Sequence, residues 1–343
     1  MQRRLFIWLA AITIVLVALT VFTMSGYRAG TQVASNRVSL VPDWVGQLPQ
    51  VAVIRLDSPT GEINLKLEGK QWQLVERYDY PADNRKVWEM LEQVGDVELL
   101  DAKTDNPELH QRLGLRDRSQ AGAQSMQVEI GDAQGQPLVI FLIGKDREMA
   151  GQGERQYYLR RVAENQTWVA AGEFNPPRLP AAWLDRELID IVQSRIREVT
   201  IQHPGKPIVR VSRESAAAAF ELQDIPEGRS ARATEVAAIA YGLQKLPLQD
   251  VNKVADAELE WDDAIEVNFY TFDGLQVTAK VQAKDLGIVA RLSAVGSGDA
   301  SGEAEVLNTR LSPWVFVIPN HTVSTFTRDL DGLLEPMGEK PPG

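Results

Sequence analysis

The sequence predicts an α+β protein: an N-terminal transmembrane helix followed by two duplicated units of antiparallel sheet with packed helices. Three observations predict it. Leu5 to Met24 (LFIWLAAITIVLVALTVFTM) carries no charge, no glycine and no proline. Beyond it, short runs alternate apolar and polar residues at a period of two, and two stretches carry helical spacing. The order of these runs, turns and stripes then occurs twice, which is the signature of an internal repeat. The division that follows is residues 1–4 as a cytoplasmic N-terminus, 5–24 as the anchor and 25–49 as a linker. Residues 50–193 form the first repeat unit, 194–334 the second, and 335–343 a disordered tail.

At about 1.5 Å of rise per residue, Leu5–Met24 spans roughly 30 Å, one bilayer core. The run is longer than a secretory signal core, and Gln32-Val33-Ala34 is a poor cleavage site, so an uncleaved anchor is expected. Arg3 and Arg4 precede the run and Arg28 alone follows closely, which places the N-terminus in the cytoplasm and the body outside it.

The chain has 343 residues, 44% of them hydrophobic, enough for two ordinary cores after the linker. A net charge of −11 and a pI near 5.0 argue against nucleic acid, whose phosphates call for clustered Lys and Arg. No cysteine is present, which excludes a disulfide framework, a thiol nucleophile and a lipoprotein anchor. An exported body without cysteine suits a bacterial envelope.

Val38 to Pro49, with two prolines among apolar residues, reads as a docking segment rather than free coil. Val51–Leu56 is a strand, Ser58–Gly61 a turn, and Ile63, Leu65 and Leu67 alternate with polar neighbours. Glu68-Gly69-Lys70 turns the chain into Trp72–Val75. Pro81–Asn84 opens a helix capped by Asp83 or Asn84, and Val87, Met90, Leu91 and Val94 form its buried stripe. A short helix is expected at Pro107–Leu113, ended by Gly114. Strands follow at Met126–Ile130, Leu138–Ile143, Gln156–Val162 and Trp168–Ala170, then a closing helix at Leu179–Ile191.

The second passage repeats this. Val199–Ile201 and Ile208–Val211 flank His203-Pro204-Gly205, and Phe220-Glu221-Leu222 stands where Trp72-Gln73-Leu74 stood. Val236, Ile239, Ala240 and Leu243 form the second stripe. Ile265–Phe269 and Leu275–Val281 make a hairpin around Asp273-Gly274, followed by Ile288–Leu292, Trp314–Val317 and a final helix at Val323–Leu334.

The Trp72 strand, the Tyr80-Pro81-Ala82-Asp83 helix start, the Asn106–Leu115 segment and Val139–Gly144 followed by Tyr157-Tyr158-Leu159 resemble the domain-of-unknown-function family 4340. The resemblance implies an anchored body outside the cytoplasm. In setting it is similar to gliding-motility-type auxiliary subunits, which accompany an ABC-transporter ATPase and permease. It supplies no catalytic or ligand residues.

The residues themselves carry few chemical signatures. His110, His203 and His321 have no metal-ligand spacing around them. Gly151-x-Gly153 and Gly296-x-Gly298 lack the strand-to-helix setting and the Lys-Ser or Lys-Thr of a phosphate loop, so they read as hairpin tips. Asp256–Asp263 packs five carboxylates around Trp261, but without the spacing or glycine of a calcium loop. Trp72, Trp88, Trp168, Trp183 and Trp314 read as core, and Trp44 as packed on the first sheet or offered to a membrane partner. The expectation is therefore no catalytic residue, no metal and no cofactor. The protein is read as a membrane-anchored accessory or scaffold subunit outside the cytoplasm, acting by protein contacts. Its partners are the membrane, an ABC-transporter permease and its auxiliary subunits, with no nucleic acid. An anchored envelope hydrolase or carbohydrate-binding protein is the alternative.

Overall fold

The computed structural model describes residues 37–147, 154–254, 259–284 and 287–336. The first passage contains β1 (Val38–Ser39), α1 (Trp44–Gln47), β2 (Val53–Ser58), β3 (Gly61–Glu68), β4 (Gln71–Leu74) and β5 (Tyr80–Pro81). Then come α2 (Asn84–Gly95), β6 (Glu98–Ala102), α3 (His110–Leu113), β7 (Met126–Gly131), β8 (Pro137–Asp146), β9 (Gln156–Arg161) and β10 (Thr167–Ala171). The second contains β11 (Glu187–Ile189), β12 (Ile196–Gln202), β13 (Val209–Ser212), β14 (Glu221–Leu222), α4 (Ala233–Ile239), β15 (Leu246–Pro247) and β16 (Asp250–Lys253). It closes with β17 (Ile265–Thr271), β18 (Leu275–Lys284), β19 (Gly287–Gly296), α5 (Ser301–Leu311), β20 (Trp314–Ile318), α6 (Asn320–Phe326) and α7 (Leu330–Leu333).

Packing divides the chain into two compact units. Of the described residues, one holds 37–51, 56–59 and 89–176; the other holds Ala52–Arg55, Thr60–Trp88 and those from Pro177 onward. The first large sheet has the order β1-β6-β10-β9-β8-β7-β2-β3-β4-β5, the second β14-β13-β12-β17-β18-β19-β20-β16, and β11 pairs with β15. From β6 to β4 and from β16 to β14 the two orders agree strand for strand. The agreement extends to single bonds. Ala82 bridges Leu184 as Ala231 bridges Leu334. Asp83 N–H donates to Trp183 O as Arg232 N–H donates to Leu333 O, both at 2.8 Å. Each passage also starts with an arm strand laid against the residues after its helix: Val38 opposite Leu99, and Ile189 opposite Leu246.

The expected α+β class is corrected. Antiparallel strand dominates the described residues, and their helices run to twelve residues at most. No helix among the described residues is long and apolar enough to cross a membrane, so the transmembrane helix of the expected fold, and the membrane and signal-anchor reading with it, has no counterpart there. Leu5–Met24 itself lies outside the described residues, as do residues 1–36 and 337–343 generally.

Local physics explains the other departures. Leu179–Ile191 is not a helix. Pro177 and Pro180 restrict its start, and Leu188 and Ile189 are drawn into β11 by pairing with β15. The final helix breaks into α6 and α7, and Asp329 caps the second piece by accepting from Gly332 N–H. Gly296-x-Gly298 is no hairpin tip: it closes β19 and opens α5 through a short 3-10 turn. A Cβ on Gly296 would lie 2.2 Å from Ala300 O, so only glycine fits this corner. Helix α5 presents Ala304, Leu307 and Leu311 inward.

Both sequence-read stripes are buried: Val87, Met90, Leu91 and Val94 on α2, and Val236, Ile239, Ala240 and Leu243 on and after α4. Asp83 caps α2 by accepting from Lys86 N–H. Trp44 is buried against α2, its Nε1 donating to Leu91 O at 2.7 Å. Of the tryptophans read as core, Trp72 and Trp183 are fully buried, whereas Trp88, Trp168 and Trp314 retain exposure.

Candidate functional site

Three concavities were built up from the strands beneath them. The first, about 500 Å³, lies in the unit holding β8 and β9. Its floor is the half-buried run Leu138-Val139-Ile140 at the start of β8, and Leu40, Val41 and Pro42 form one wall. Arg161 ties the wall down, donating to Leu40 O at 2.7 Å. It is an apolar trough with a charged rim, suited to an apolar side chain rather than to chemistry.

The second, about 650 Å³, crosses the outer face of β12, β13 and β14. Glu198, Ser212 and Glu221 lie side by side because they are register partners across the three strands. Arg213 stands at its edge. Its guanidinium donates to three carbonyls, Ile196, Ala216 and Gln193, and stacks 4.3 Å from the Phe220 ring centroid. Burial pushes its pKa down, because no carboxylate offsets the desolvation. Those bonds make Arg213 a clamp on the start of β12.

The third, about 380 Å³, sits where the His203-Pro204-Gly205 turn faces Trp261, Glu266 and Lys280. Trp261 also packs on Val289, Val315 and Val317, which fixes the indole. Lys280 pairs with Glu266 at 3.4 Å, and His203 Nε2 is buried without a hydrogen-bond partner.

Among the titrating groups with displaced pKa values, Arg195 and Asp273 belong to one tie between loops. Arg195 is held charged first by its hydrogen bonds to Glu303 and then by Asp273. Asp273 is held below the usual carboxylate range first by the Thr271 hydroxyl and then by Arg195. Burial pushes the Tyr80 and Tyr157 phenols up. Among the described residues, no group of three or more His, Asp or Glu is placed to hold a metal ion.

The residues singled out from sequence are scattered. His110, whose place on a short helix suggested a surface or half-buried side chain, is buried, with Nε2 2.9 Å from Asn165 O; His321 is exposed. Gly151-x-Gly153 lies outside the described residues, and so do Asp256 and Glu258 of the acidic loop. What sequence reading missed is that the second large sheet ends at β14, with no further strand like β5 among the described residues. The available signal was that the Phe220–Leu222 segment lacks the following Tyr80 and Asn84 of its counterpart.

Fold and concavities together define a tandem-repeat antiparallel sheet protein. The family model described as Domain of unknown function (DUF4340) matches residues 72–261, more than half of the chain, and the protein belongs to that family. The matched span begins in β4 and ends before β17, so it runs from the first passage into the second. No curated protein and no solved structure matches the chain.

Proposed function

We propose that this protein is an accessory or scaffold subunit of an ABC-type transport system, acting through protein contacts outside the cytoplasm of a bacterial cell. The observation that carries the reading is the doubled sheet itself. Arg195, Asp273 and Asp329 are spent on ion pairs that hold loops together, while its grooves open to solvent. The resemblance in setting to transporter auxiliary subunits, read from the sequence, is the second support for the reading. The flanking of the apolar run by Arg3 and Arg4 supports the placement outside the cytoplasm.

The test is affinity purification of the full chain after detergent extraction, read by mass spectrometry. A permease and its ATPase enriched in constant ratio support the proposal. The rival reading, an envelope hydrolase or carbohydrate-binding protein, is favoured by one observation, the Trp261 cavity with its imidazole and carboxylate. Turnover of a cell-wall or lipid substrate by the purified chain, lost on Trp261→Ala, would decide for that rival.

A further inference from the structure

A further groove, about 530 Å³, lies between α1 and the C-terminal end of α2, in the unit that holds β8 and β9. It adjoins the Leu138–Ile140 trough at Val41. The chain builds it in two moves. Leu40 N–H donates to Val97 O at 2.9 Å, which lays the segment after β1 along the residues that follow α2. Trp44 then turns inward, its Nε1 on Leu91 O, and packs so closely on Gly95 that a Cβ there would lie 2.8 Å from the ring. The same short helix that buries Trp44 carries Val45 outward, 79% exposed, and Leu48 follows half-buried on the groove wall. Solitary exposed apolar residues are ordinary, but these two line one concavity.

The charge around that apolar wall has one sign. Asp43, Glu92 and Asp96 line the groove and are exposed. Among the described residues no Lys or Arg lines it, and the three carboxylates are in no ion pair. Arg37, nearest in sequence to Asp43, is taken up by Glu98 and Glu154. Lys86, nearest to Glu92, is taken up by the Ala182 carbonyl, and Arg161 lines the neighbouring trough instead.

Helix geometry sharpens the imbalance. Asp96 N–H donates to Glu92 O at 3.3 Å, so the helical turn continues through Asp96 and the two carboxylates share one face. They stand at the end of α2 where the peptide dipoles leave a partial negative charge, and its last turn carries no basic residue. Asp43 adds a third carboxylate from the opposite wall, held against Gly46, where a Cβ would lie 2.9 Å from both of its oxygens. An apolar wall and an uncompensated negative potential thus share one groove. Its complement is a ligand that brings an apolar side chain and a cation together.

We propose that this groove receives a segment of a partner protein, with an apolar side chain against Val45 and Leu48 and a lysine or arginine among Asp43, Glu92 and Asp96. A membrane surface is the poorer occupant, because anionic headgroups would meet three carboxylates. The inference rests on the accessory-subunit reading above and names the contact that such a subunit would use. Ser39, at the start of the groove, follows Met24 by roughly 15 residues, at most about 54 Å of extended chain. On that reading the groove stays within reach of the outer segments of a membrane-embedded partner.

The probe is a fluorescein-labelled hexapeptide of alternating Lys and Leu, titrated against the full chain in nonionic detergent and read by anisotropy against detergent alone. The matching Glu–Leu and Lys–Ala hexapeptides are the controls. The Lys–Leu peptide is expected to bind at least about tenfold more tightly than either control. The triple variant Asp43→Asn/Glu92→Gln/Asp96→Asn should lose the preference over Glu–Leu, and Val45→Ser should weaken Lys–Leu binding by about threefold or more. Both variants should keep the parent melting temperature, since all four side chains are exposed and the carboxylates at the end of α2 oppose its dipole. Equal binding of the Lys–Leu and Glu–Leu peptides, no binding of either, or an unchanged preference in the triple variant would overturn the proposal. Cross-linking from a photoreactive residue at position 45 to a second copy of the chain would make the groove a dimer contact. Binding to phosphatidylglycerol vesicles that is lost in Val45→Ser would make it a lipid contact, and either result overturns the proposal. If the triple variant still recovers the permease and ATPase, the groove proposal fails and the function stands. If the peptides behave as expected but the parent chain recovers no transporter subunit, the function fails and the groove stands.

Discussion

Leu91→Ala tests the packing of α2 directly. Leu91 is fully buried, third in the stripe Val87, Met90, Leu91, Val94. The substitution removes three carbons from the interior, about 2.4 kcal/mol of transfer at ~0.8 kcal/mol per buried methylene. The hole adds to that because the surroundings relax only in part, so the total falls at about 2–5 kcal/mol. Nor can the site collapse freely, since the Leu91 carbonyl holds the Trp44 indole at 2.7 Å and the ring leaves no room for a Cβ at Gly95. In urea, at a slope of about 3 kcal/mol per molar, the midpoint should fall by roughly 1 M. Glu92→Ala, on the exposed side of the same turn, should shift it within about 0.5 kcal/mol. The second passage offers the reverse experiment. The residue matching Leu91 in its stripe is Ala240, also fully buried, so Ala240→Leu should overpack and cost about 1–3 kcal/mol. A loss below about 1 kcal/mol for Leu91→Ala, or equal losses for Leu91→Ala and Glu92→Ala, would refute the packing argument.

Further outcomes follow from single contacts. Gly95→Ala would place a Cβ 2.8 Å from Trp44 Cδ1, and the forced shift should cost about 1–3 kcal/mol and redden Trp44 emission as the ring loosens. Asn84→Ala strands Trp72 N–H and Lys70 O, so it should cost about 1–3 kcal/mol in urea melts and speed exchange of the Trp72 amide. Arg77 grips Asp250 with two hydrogen bonds, the longer 2.8 Å, and Arg77→Met should destabilise by about 1–3 kcal/mol and raise the proteolysis rate of the Val75–Asp79 corner. Asp273 and Asp329 are held below their ordinary carboxylate values, first by the Thr271 hydroxyl and the Lys206 ammonium respectively. Both are deprotonated more readily folded than unfolded. Their stabilisation is therefore present above the ordinary carboxylate pKa, about 3.9, and lost as pH falls through the folded values. Asp273→Asn/Asp329→Asn should thus lower the melting temperature at pH 7 and flatten its decline below about pH 4; an unchanged acid limb would contradict the assignment.

Much of the secondary structure was decided locally. Strands such as β3 and β7 alternate apolar and polar residues because one pleated face is buried and the other is not, and that rule is written residue by residue. The α2 stripe follows from helical geometry alone, and the turns at Gly69, Gly205 and Gly274 follow from a positive φ that glycine adopts without strain. The order of elements, read twice along the chain, was legible for the same reason. Tertiary structure decided what depends on partners distant in sequence. Val38 and Ser39 are a strand because β6, some sixty residues on, offers them an edge. Leu188 and Ile189 are a strand rather than helix because β15 does the same. Helix α5 was hidden because Val306 points to solvent and Gly296-x-Gly298 imitates a hairpin tip, whereas the close approach of Ala300 O to Gly296 makes it a corner. The end of the second large sheet at β14 was the least visible feature, since it turns on β5 and the Asn84 bonds around Trp72, which have no counterpart after Leu222 among the described residues. A sequence specifies each residue's own preferences, but whether a backbone group finds a partner is settled only when the chain has folded.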